Sequence, residues 1–169
     1  QPGAILSSVN NALLKKDIDV SDWSKEQQKA FDDFCKEERM FFSPDPTEKT
    51  ASIGGMVSCN ASGARSFCYG PTRGHIHSIK VILSDSSVLY LERGVHKADG
   101  LKFNIETGSG RTIEGRLPLY KMPQVKNASG YFTGKDIDLV DLFIGSEGTL
   151  GIICEIEIKL IKFPPSIWG

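Results

Sequence analysis

A glycine-rich segment, residues 53–63, has the residue types best suited to binding a ligand. It reads Ile-Gly-Gly-Met-Val-Ser-Cys-Asn-Ala-Ser-Gly. Gly54 and Gly55 can adopt positive φ and let a ligand approach the backbone closely. Ser58, Asn60 and Ser62 add hydroxyl and amide groups, and exposed backbone N–H groups would suit phosphates. Because the same composition is typical of a tight turn packed with small residues, both roles stay open for the predicted loop.

A second glycine-rich segment, residues 145–152, reads Gly-Ser-Glu-Gly-Thr-Leu-Gly-Ile. Its glycines are three residues apart, which is not the G-x-G-x-x-G spacing of a Rossmann loop, and the chain has no G-x-x-x-x-G-K-[ST] motif. Glu147 could bind a ligand, although a carboxylate in a solvent-exposed turn is more common. The sequence therefore disfavours a Rossmann dinucleotide site and a P-loop kinase.

The histidines and cysteines do not form a recognisable metal or redox motif. His75 and His77 stand two residues apart, but no nearby residue supplies a third metal ligand at a typical spacing. The four cysteines include no C-x-x-C pair, so we predict reduced thiols in a cytoplasmic protein. No G-x-S-x-G nucleophile motif occurs either. We predict no metal site and assign no catalytic acid or base.

Composition excludes several classes of protein. The chain has 169 residues and a net charge of −1, from 20 Lys and Arg against 21 Asp and Glu. A near balance disfavours nucleic acid as a partner and a polybasic membrane surface. No apolar run approaches the roughly 20 residues of a membrane span, and no signal-peptide pattern is present. The chain begins without Met, so we expect a fragment of a longer polypeptide.

Two helices are predicted before residue 40. Apolar residues at helical spacing predict the first helix over residues 3–16. The second is predicted over residues 24–39, where Ser24 and Gln27 can form a capping box. Phe31 and Phe34 continue its apolar period, and core packing is the simplest explanation for them.

Strands dominate the rest of the chain. Alternation predicts a hairpin of residues 76–83 and 88–92, a second hairpin of 101–107 and 111–115 turning at 108–110, and a strand over 150–163. In the last strand, Ile156, Ile158 and Leu160 face one way and charged residues the other. Residues 116–134 read mostly as loop, and 138–143 as a short helix. The predicted class is α+β, with an antiparallel sheet flanked by helices.

Five motifs in a fixed order resemble a known family. They are Pro-Asp-Pro at 44–46, Ile-Gly-Gly-Met at 53–56 leading to Asn-Ala-Ser-Gly at 60–63, Tyr-Gly-Pro-Thr-Arg at 69–73, Lys-Asn-Ala-Ser-Gly-Tyr at 126–131, and Leu-Phe-Ile-Gly-Ser-Glu-Gly-Thr-Leu-Gly-Ile-Ile at 142–153. The chain resembles the FAD-linked oxidase family of the vanillyl-alcohol oxidase type. Within that family, it is most similar to the branch of the glycolate oxidases and the D-lactate and D-2-hydroxyglutarate dehydrogenases.

The resemblance implies FAD as cofactor and a set of residues along it. Both glycine-rich segments should then border one flavin, so we expect them close together at one edge of the sheet. The residues expected to bind FAD are Pro44, Gly54, Gly55, Ser58, Ser62, Gly63, Tyr69, Gly70, Glu147, Gly151 and Ile152.

The chain also departs from the family pattern. The family's pyrophosphate loop, similar to Arg-Gly-Gly-Gly-Thr-Ser, is absent from the sequence, as is a C-terminal cap domain. Residues 1–169 are therefore expected to be the second subdomain of the FAD-binding domain alone. In the family, the turn of the first hairpin is usually Asp-Gly, whereas this sequence has Asp85-Ser86 there.

The intact enzyme is expected to oxidise a small 2-hydroxy acid, of the glycolate or D-lactate type, by hydride transfer from its C2 to the flavin. The isolated chain is expected to be inactive and to self-associate through the face left uncovered. The alternative is a stand-alone ligand-binding or interaction domain with the same fold and no redox activity.

Overall fold

The computed structural model describes residues 1–125, 127–128 and 130–165. Lys126 and Ser129, which belong to the motif at 126–131, lie outside the described residues. The helices are α1 Leu6–Lys15, α2 Lys25–Lys36, α3 Ile53–Ser58, α4 Ser66–Tyr69 and α5 Val140–Phe143, with a 3₁₀ helix at Thr72–His75. The strands are β1 Met40–Phe41, β2 Ile76–Ile82, β3 Val88–Glu92, β4 Lys102–Glu106, β5 Thr112–Arg116, β6 Ile152–Ile158 and β7 Ile161–Lys162.

A three-stranded antiparallel sheet, in the order β3-β2-β6, is the centre of the fold. Ile79 of β2 lies opposite Leu91 of β3 on one side and Ile156 of β6 on the other. Ile79 and Leu91 are buried, whereas Lys80 and Tyr90 belong to the opposite face, which is more exposed. This alternation confirms the first predicted hairpin and the α+β class.

The core lies between the inner face of this sheet and short helical segments. Met56 and Val57 of α3 and Val140 and Ile144 around α5 are almost fully buried in the same cluster as Ile79 of β2. The remaining strands form separate pairs, β4 with β5 and β1 with β7. Among the helices of the described part of the chain, none is long and apolar enough to cross a membrane.

The prediction of a loop over residues 53–63 is wrong for the first half of this segment, which forms α3. Ser52 caps this helix, since its hydroxyl accepts a hydrogen bond from the Gly55 N–H at 3.1 Å. Ile53, Met56 and Val57 recur at helical spacing and are buried, so their packing outweighs the low helix propensity of glycine. Gly54 and Gly55 consequently do not have the positive φ that we expected.

The capping box of α2 is confirmed. Ser24 accepts from the Gln27 N–H, and the Gln27 side chain accepts from the Ser24 N–H. The prediction that Phe31 and Phe34 pack in the core is wrong. The structure describes every residue of α2, and none of them is fully buried. The two rings stack at 6.0 Å, and Trp23 packs edge-on against Phe31 at 6.0 Å. They form a satellite cluster outside the core.

The strand predicted over residues 150–163 is divided in two. β6 ends at Ile158, and β7 leaves the central sheet to pair with β1, with Phe41 opposite Ile161. The predicted alternation is retained, since Ile156 and Ile158 are half-buried whereas Glu155 and Glu157 are exposed. The pairing with β1 involves residues about 120 positions away, which periodicity within one strand does not reveal.

The other local predictions agree with the structure. The second hairpin is formed by β4 and β5, and α5 falls within the short helix predicted at 138–143. In the β2–β3 turn, Ser86 has a φ of 67°, so a non-glycine residue occupies the left-handed conformation that an Asp-Gly turn gives to glycine.

Gly63→Ala should destabilise the fold. A Cβ at residue 63 would lie 1.7 Å from the Asp45 carbonyl oxygen, which is backbone and cannot rotate away. We expect a loss of about 1–3 kcal/mol in the free energy of unfolding, as for overpacked sites. Urea denaturation measures it. Gly74→Ala is the matched control because a Cβ there has no described atom within 4 Å. Equal stability of the two variants would contradict the packing of Gly63 on Asp45.

Candidate functional site

A shallow groove brings the two glycine-rich segments together. We call it the α3 groove. It has a volume of about 350 Å³ and is lined by Pro2, Gly3, Ser52, Gly54, Gly55, Ser58, Gly148, Gly151, Ile152 and Ile153. The prediction that the two segments lie close together is therefore confirmed.

Backbone hydrogen bonds fix the relative position of these segments. The Gly145 N–H donates to the Val57 carbonyl at 3.0 Å, and the Glu147 N–H donates to the Ser58 carbonyl at 2.9 Å. Both acceptors lie at the C-terminal end of α3, where carbonyls lack partners within the helix. The second glycine-rich segment thus completes the hydrogen bonding of α3.

The packing at residue 151 leaves no room for a side chain, so only glycine fits there. Its φ is 156°, and a Cβ there would lie 2.6 Å from Val81 Cγ1 and 2.8 Å from the Ile82 carbonyl oxygen. The loop therefore approaches β2 closely before it enters β6. Next to it, Ile152 is 70% exposed and presents an apolar side chain beside the groove.

A larger cleft of about 560 Å³ lies at the other end of the Ser58–Asn60 turn. We call it the Arg73 cleft. Its described lining comprises Asn60, Ser62, Gly63, Ala64, Ser66, Phe67, Pro71, Arg73, Met122, Pro123, Val125, Asn127, Ala128, Gly130, Phe132 and Gly145. Apolar and small side chains predominate, with a few hydroxyl and amide groups, as in pockets that bind small organic molecules.

Arg73 is the charged group of this cleft. Its side chain is 16% exposed, and its guanidinium carbon lies 4.4 Å from the centre of the Phe132 ring. Nη1 donates to the Asp141 backbone carbonyl, and Nη2 donates to the Ile144 carbonyl at 2.6 Å. Burial lowers the pKa of Arg73, and the nearby Asp141 carboxylate partly offsets that effect.

Asp141 connects Arg73 to a second arginine. Arg93 donates to both Asp141 carboxylate oxygens, at 2.7 and 3.0 Å, in a bidentate pair. It also approaches Asp138 at 3.4 Å. The hydrogen bond to Asp141 raises the pKa of Arg93, against the effect of burial. Asp141 is only 7% exposed, so this network holds two cations and two anions in a largely dry region.

Asn60 joins the groove to the cleft. It ends the α3 turn with a φ of 46°, and its side-chain oxygen accepts a hydrogen bond from the Arg73 N–H at 3.0 Å. Asparagine adopts the left-handed conformation more readily than most residues. This short polar contact holds the Arg73 backbone against the end of α3.

The predicted cofactor residues fall into three groups. The α3 groove contains Gly54, Gly55, Ser58, Gly151 and Ile152. The Arg73 cleft contains Ser62 and Gly63. The structure places the others outside both, namely Pro44, Tyr69, Gly70 and Glu147. The assignment of each residue to FAD stays a prediction.

The residues outside the two sites have other surroundings. Pro44 is buried, on the side of the chain that contains Leu6 and Arg65. The Tyr69 ring packs edge-on against Phe41, and its carbonyl accepts a hydrogen bond from His75 Nε2 at 2.8 Å. Glu147 is exposed, and it is its N–H, rather than its carboxylate, that bonds to α3.

The two histidines do not act together. His75 is buried in the 3₁₀ helix, whereas His77 is half-buried on β2 beside Glu92, at 3.5 Å. Within residues 1–125, 127–128 and 130–165, no cluster of three or more His, Cys, Asp or Glu side chains is arranged to hold a metal ion. All four cysteines have free thiols in the structure.

The sequence reasoning missed Arg73, Arg93 and Asp141 as site residues. One signal was available, because Asp141 is the only charged residue in the run Leu-Val-Asp-Leu-Phe-Ile at 139–144. A carboxylate inside an apolar run is rarely buried without a partner. The identity of that partner was not visible, since Arg73 precedes Asp141 by 68 residues.

The α3 groove and the Arg73 cleft offer different surroundings to a ligand. In the α3 groove, Gly55 has no Cβ, so a ligand can lie directly against the main chain there. A Cβ on Gly55 would meet only the Ser52 hydroxyl, at 3.1 Å, and would otherwise project into the groove. The neighbouring cleft adds apolar walls and one cation. These features fit a flavin with its polar tail.

Comparison with known proteins points to the same cofactor. Residues 26–92 match the family model of an FAD binding domain. A D-lactate dehydrogenase of Anaerostipes hadrus is 33% identical over 79% of this chain. Glycolate oxidase subunit GlcD of Bacillus subtilis is 32% identical over 74% of the chain, and a D-2-hydroxyglutarate dehydrogenase of Haemophilus influenzae is 29% identical over 78%.

The chain spans about a fifth of the length of these relatives, with 21%, 19% and 15% of their sequences covered. Among solved structures, an alkyldihydroxyacetonephosphate synthase matches 75% of this chain and 16% of its own, with a TM-score of 0.43 and 21% identity. That structural likeness is too slight to carry an argument. The sequence matches confirm the resemblance to the FAD-linked oxidase family and the prediction of FAD as the cofactor.

Asp141→Asn should strongly destabilise the protein. The change leaves two largely buried guanidinium groups without their shared carboxylate. Breaking a buried ion pair by removing one partner typically costs about 3–5 kcal/mol in the free energy of unfolding. Chemical denaturation measures the loss. Asp33→Asn, which removes an exposed pair with Lys36, is the control and should leave stability nearly unchanged. Similar effects of the two variants would show that the Asp141 network is not structural.

Proposed function

We propose that this chain is the second half of the FAD-binding domain of an enzyme that oxidises a small 2-hydroxy acid, of the glycolate or D-lactate type. The observation that carries the proposal is the meeting of the α3 groove and the Arg73 cleft at the Ser58–Asn60 turn. The names of the relatives, which include D-lactate dehydrogenases, a glycolate oxidase and D-2-hydroxyglutarate dehydrogenases, support the substrate class.

Bound FAD would supply the redox chemistry, by accepting the hydride from C2 of the hydroxy acid. The residues of this chain would bind and orient. In the α3 groove, the backbone of Gly55 would let the cofactor lie against the main chain, since a Cβ there would meet only the Ser52 hydroxyl. In the Arg73 cleft, Phe67 and Phe132 would exclude water from the reacting end.

Several parts of the proposal concern the protein that contains this chain. The relatives are about five times longer than the portion matched here. A second subdomain would supply the pyrophosphate-binding loop, and a cap domain would supply the acid and base. We also propose a cytoplasmic location, self-association of the isolated chain through its uncovered face, and no redox activity of this chain alone.

Gly55→Val should lower the flavin content of the full-length protein. The added methyl groups would project into the α3 groove, where only the Ser52 hydroxyl is near. The helix should persist, because valine is no worse a helix former than glycine. The ratio of flavin to protein absorbance, together with circular dichroism, measures both effects.

Gly74→Val is the control for this experiment, since a Cβ at residue 74 meets no described atom within 4 Å and lies outside the groove. We expect wild-type flavin content in the control. If Gly55→Val retained its full flavin content, the assignment of the α3 groove to the cofactor site would be contradicted.

The 169-residue chain should bind FAD far more weakly than the full-length protein. The α3 groove is shallow and open to solvent, whereas ligand sites commonly bury about 70–90% of the ligand surface. Exposed apolar side chains near the cleft, among them Phe67 and Val125, would then favour self-association. Titration with FAD, followed by flavin fluorescence, gives the dissociation constant. A value near that of the full-length protein would refute the half-domain proposal and favour a stand-alone binding domain.

A further inference from the structure

In the described part of the chain, β6 is an edge strand whose outer side pairs with no other strand. We propose that the stretch of polypeptide immediately before Gln1 in the full-length protein forms a fourth strand along this free edge, antiparallel to β6. This inference rests on the proposed function, because it requires residues that precede Gln1. It gives the connection between the two halves of the FAD-binding domain a docking place and a direction.

Backbone hydrogen bonds show which groups of β6 face the free edge. In an antiparallel sheet, successive residues of a strand bond alternately toward one side and the other. The Lys159 N–H donates to the His75 carbonyl, just before β2, at 2.7 Å. By alternation Glu157 also bonds toward β2, where it lies opposite Ser78. The backbone groups of Ile156 and Ile158 therefore face away from the sheet.

The core-facing side chains of β6 are less covered than those of the opposite edge strand. Leu89 and Leu91 of β3 are only 2% and 0% exposed, although β3 is an edge strand as well. Ile156 and Ile158 pack against the same core but are only half-buried. Edge position alone does not explain this difference, so apolar cover is missing on the outer side of β6.

The sequence of β6 does little to protect this edge. Exposed edge strands commonly carry Pro or Lys, which discourage pairing with a further strand. Residues 152–158 read Ile-Ile-Cys-Glu-Ile-Glu-Ile and contain neither. A register shift near Cys154 distorts the strand before Glu155 and leaves the part after it able to pair. The edge therefore has the features of a strand that is covered in the full-length protein.

The position of the N-terminal residues identifies the occupant. Pro2 and Gly3 line the α3 groove together with Ile152 and Ile153, so the N-terminus of the chain lies beside the first residues of β6. Pro2 is held there because its carbonyl accepts a hydrogen bond from the Gly54 N–H at 2.7 Å. The residues that precede it in the full-length protein must leave from this point.

Direction and length also fit. A segment that reaches Gln1 along the free edge runs from the Ile158 end of β6 to the Ile152 end, which is antiparallel, as in the rest of the sheet. β6 has 7 residues, so about seven residues of extended chain cover it at roughly 3.3 Å per residue. The relatives are about five times longer than the portion matched here, which leaves ample chain for such a strand.

A second copy of this chain fits the edge poorly. If two β6 strands paired with their apolar faces on the same side, Glu155 and Glu157 of one copy would lie opposite the same carboxylates of the other. Like charges directly opposite each other destabilise a sheet. Glu155 already pairs with Lys80 at 2.7 Å, whereas Glu157 accepts only from the Ser78 hydroxyl among the described residues. We therefore expect a strand that alternates apolar residues with polar or basic ones.

Hydrogen exchange of the full-length protein, resolved to single amides by mass spectrometry, tests whether the edge is paired. The N–H of Glu157 is the matched control, because it lies in the same strand and faces β2. We expect the Ile156 and Ile158 amides to exchange within about tenfold of its rate, since paired strands open together. Exchange of both amides more than about a hundredfold faster than that of Glu157 would overturn the inference.

Proline substitutions in the full-length protein identify the occupant. Proline is placed in turn at each of the roughly seven positions before Gln1. At every second position it removes an N–H that faces β6, so these variants should speed exchange at Ile156 and Ile158 at least about tenfold. The intervening positions are the matched controls and should have a smaller effect. Protected amides that no proline affects would assign the edge to another segment or to a second copy, and would overturn the inference.

Flavin content and D-lactate oxidation, measured on the same wild-type sample, separate this inference from the proposed function. A protein that carries flavin and oxidises D-lactate, but whose Ile156 and Ile158 amides exchange freely, would retain the proposed function and lose this inference alone. A protein with protected amides and the alternating proline pattern, but without flavin, would keep the fourth strand and lose the proposed function.

Discussion

The ion pair between Asp141 and two arginines is the interaction on which the site depends. Arg93 extends from the end of β3, Arg73 from the 3₁₀ helix before β2, and Asp141 from α5, so one carboxylate connects three separate parts of the chain. Because Asp141 is 7% exposed, the pair is held in a region where losing one partner would leave an uncompensated charge. The arrangement is thus a structural requirement that also places the Arg73 side chain at the wall of the cleft.

That network also sets the position of the second glycine-rich segment. Arg73 donates to the Ile144 carbonyl, and the next residue, Gly145, donates to the Val57 carbonyl at the end of α3. The segment is therefore held between a buried cation and a helix end before it turns into β6. The α3 groove and the Arg73 cleft share this support, which explains how two short, glycine-rich pieces of chain can form a defined binding surface.

Much of the fold was predictable because its determinants are local. Alternation in residues 76–92 and 101–115 identified both hairpins, and Ser24 with Gln27 identified the cap of α2. α3 was missed because Gly54 and Gly55 suggested a loop, whereas Ile53, Met56 and Val57 gain enough from burial to form a helix. Phe31 and Phe34 were misplaced since an amphipathic pattern does not say whether a helix packs on the main core.

The sequence by itself determined the α+β class and the antiparallel hairpins, and the resemblance of its motifs to a known family implied FAD as the cofactor. It also predicted that the two glycine-rich segments meet, which the structure confirms. Only the tertiary structure decided that Asp141 pairs with Arg73 and Arg93 and that Arg73 faces a cleft. Periodicity and turn chemistry act between neighbours in the chain, whereas a buried charge takes its partner from whatever the fold brings within a few ångströms, here a residue 68 positions away.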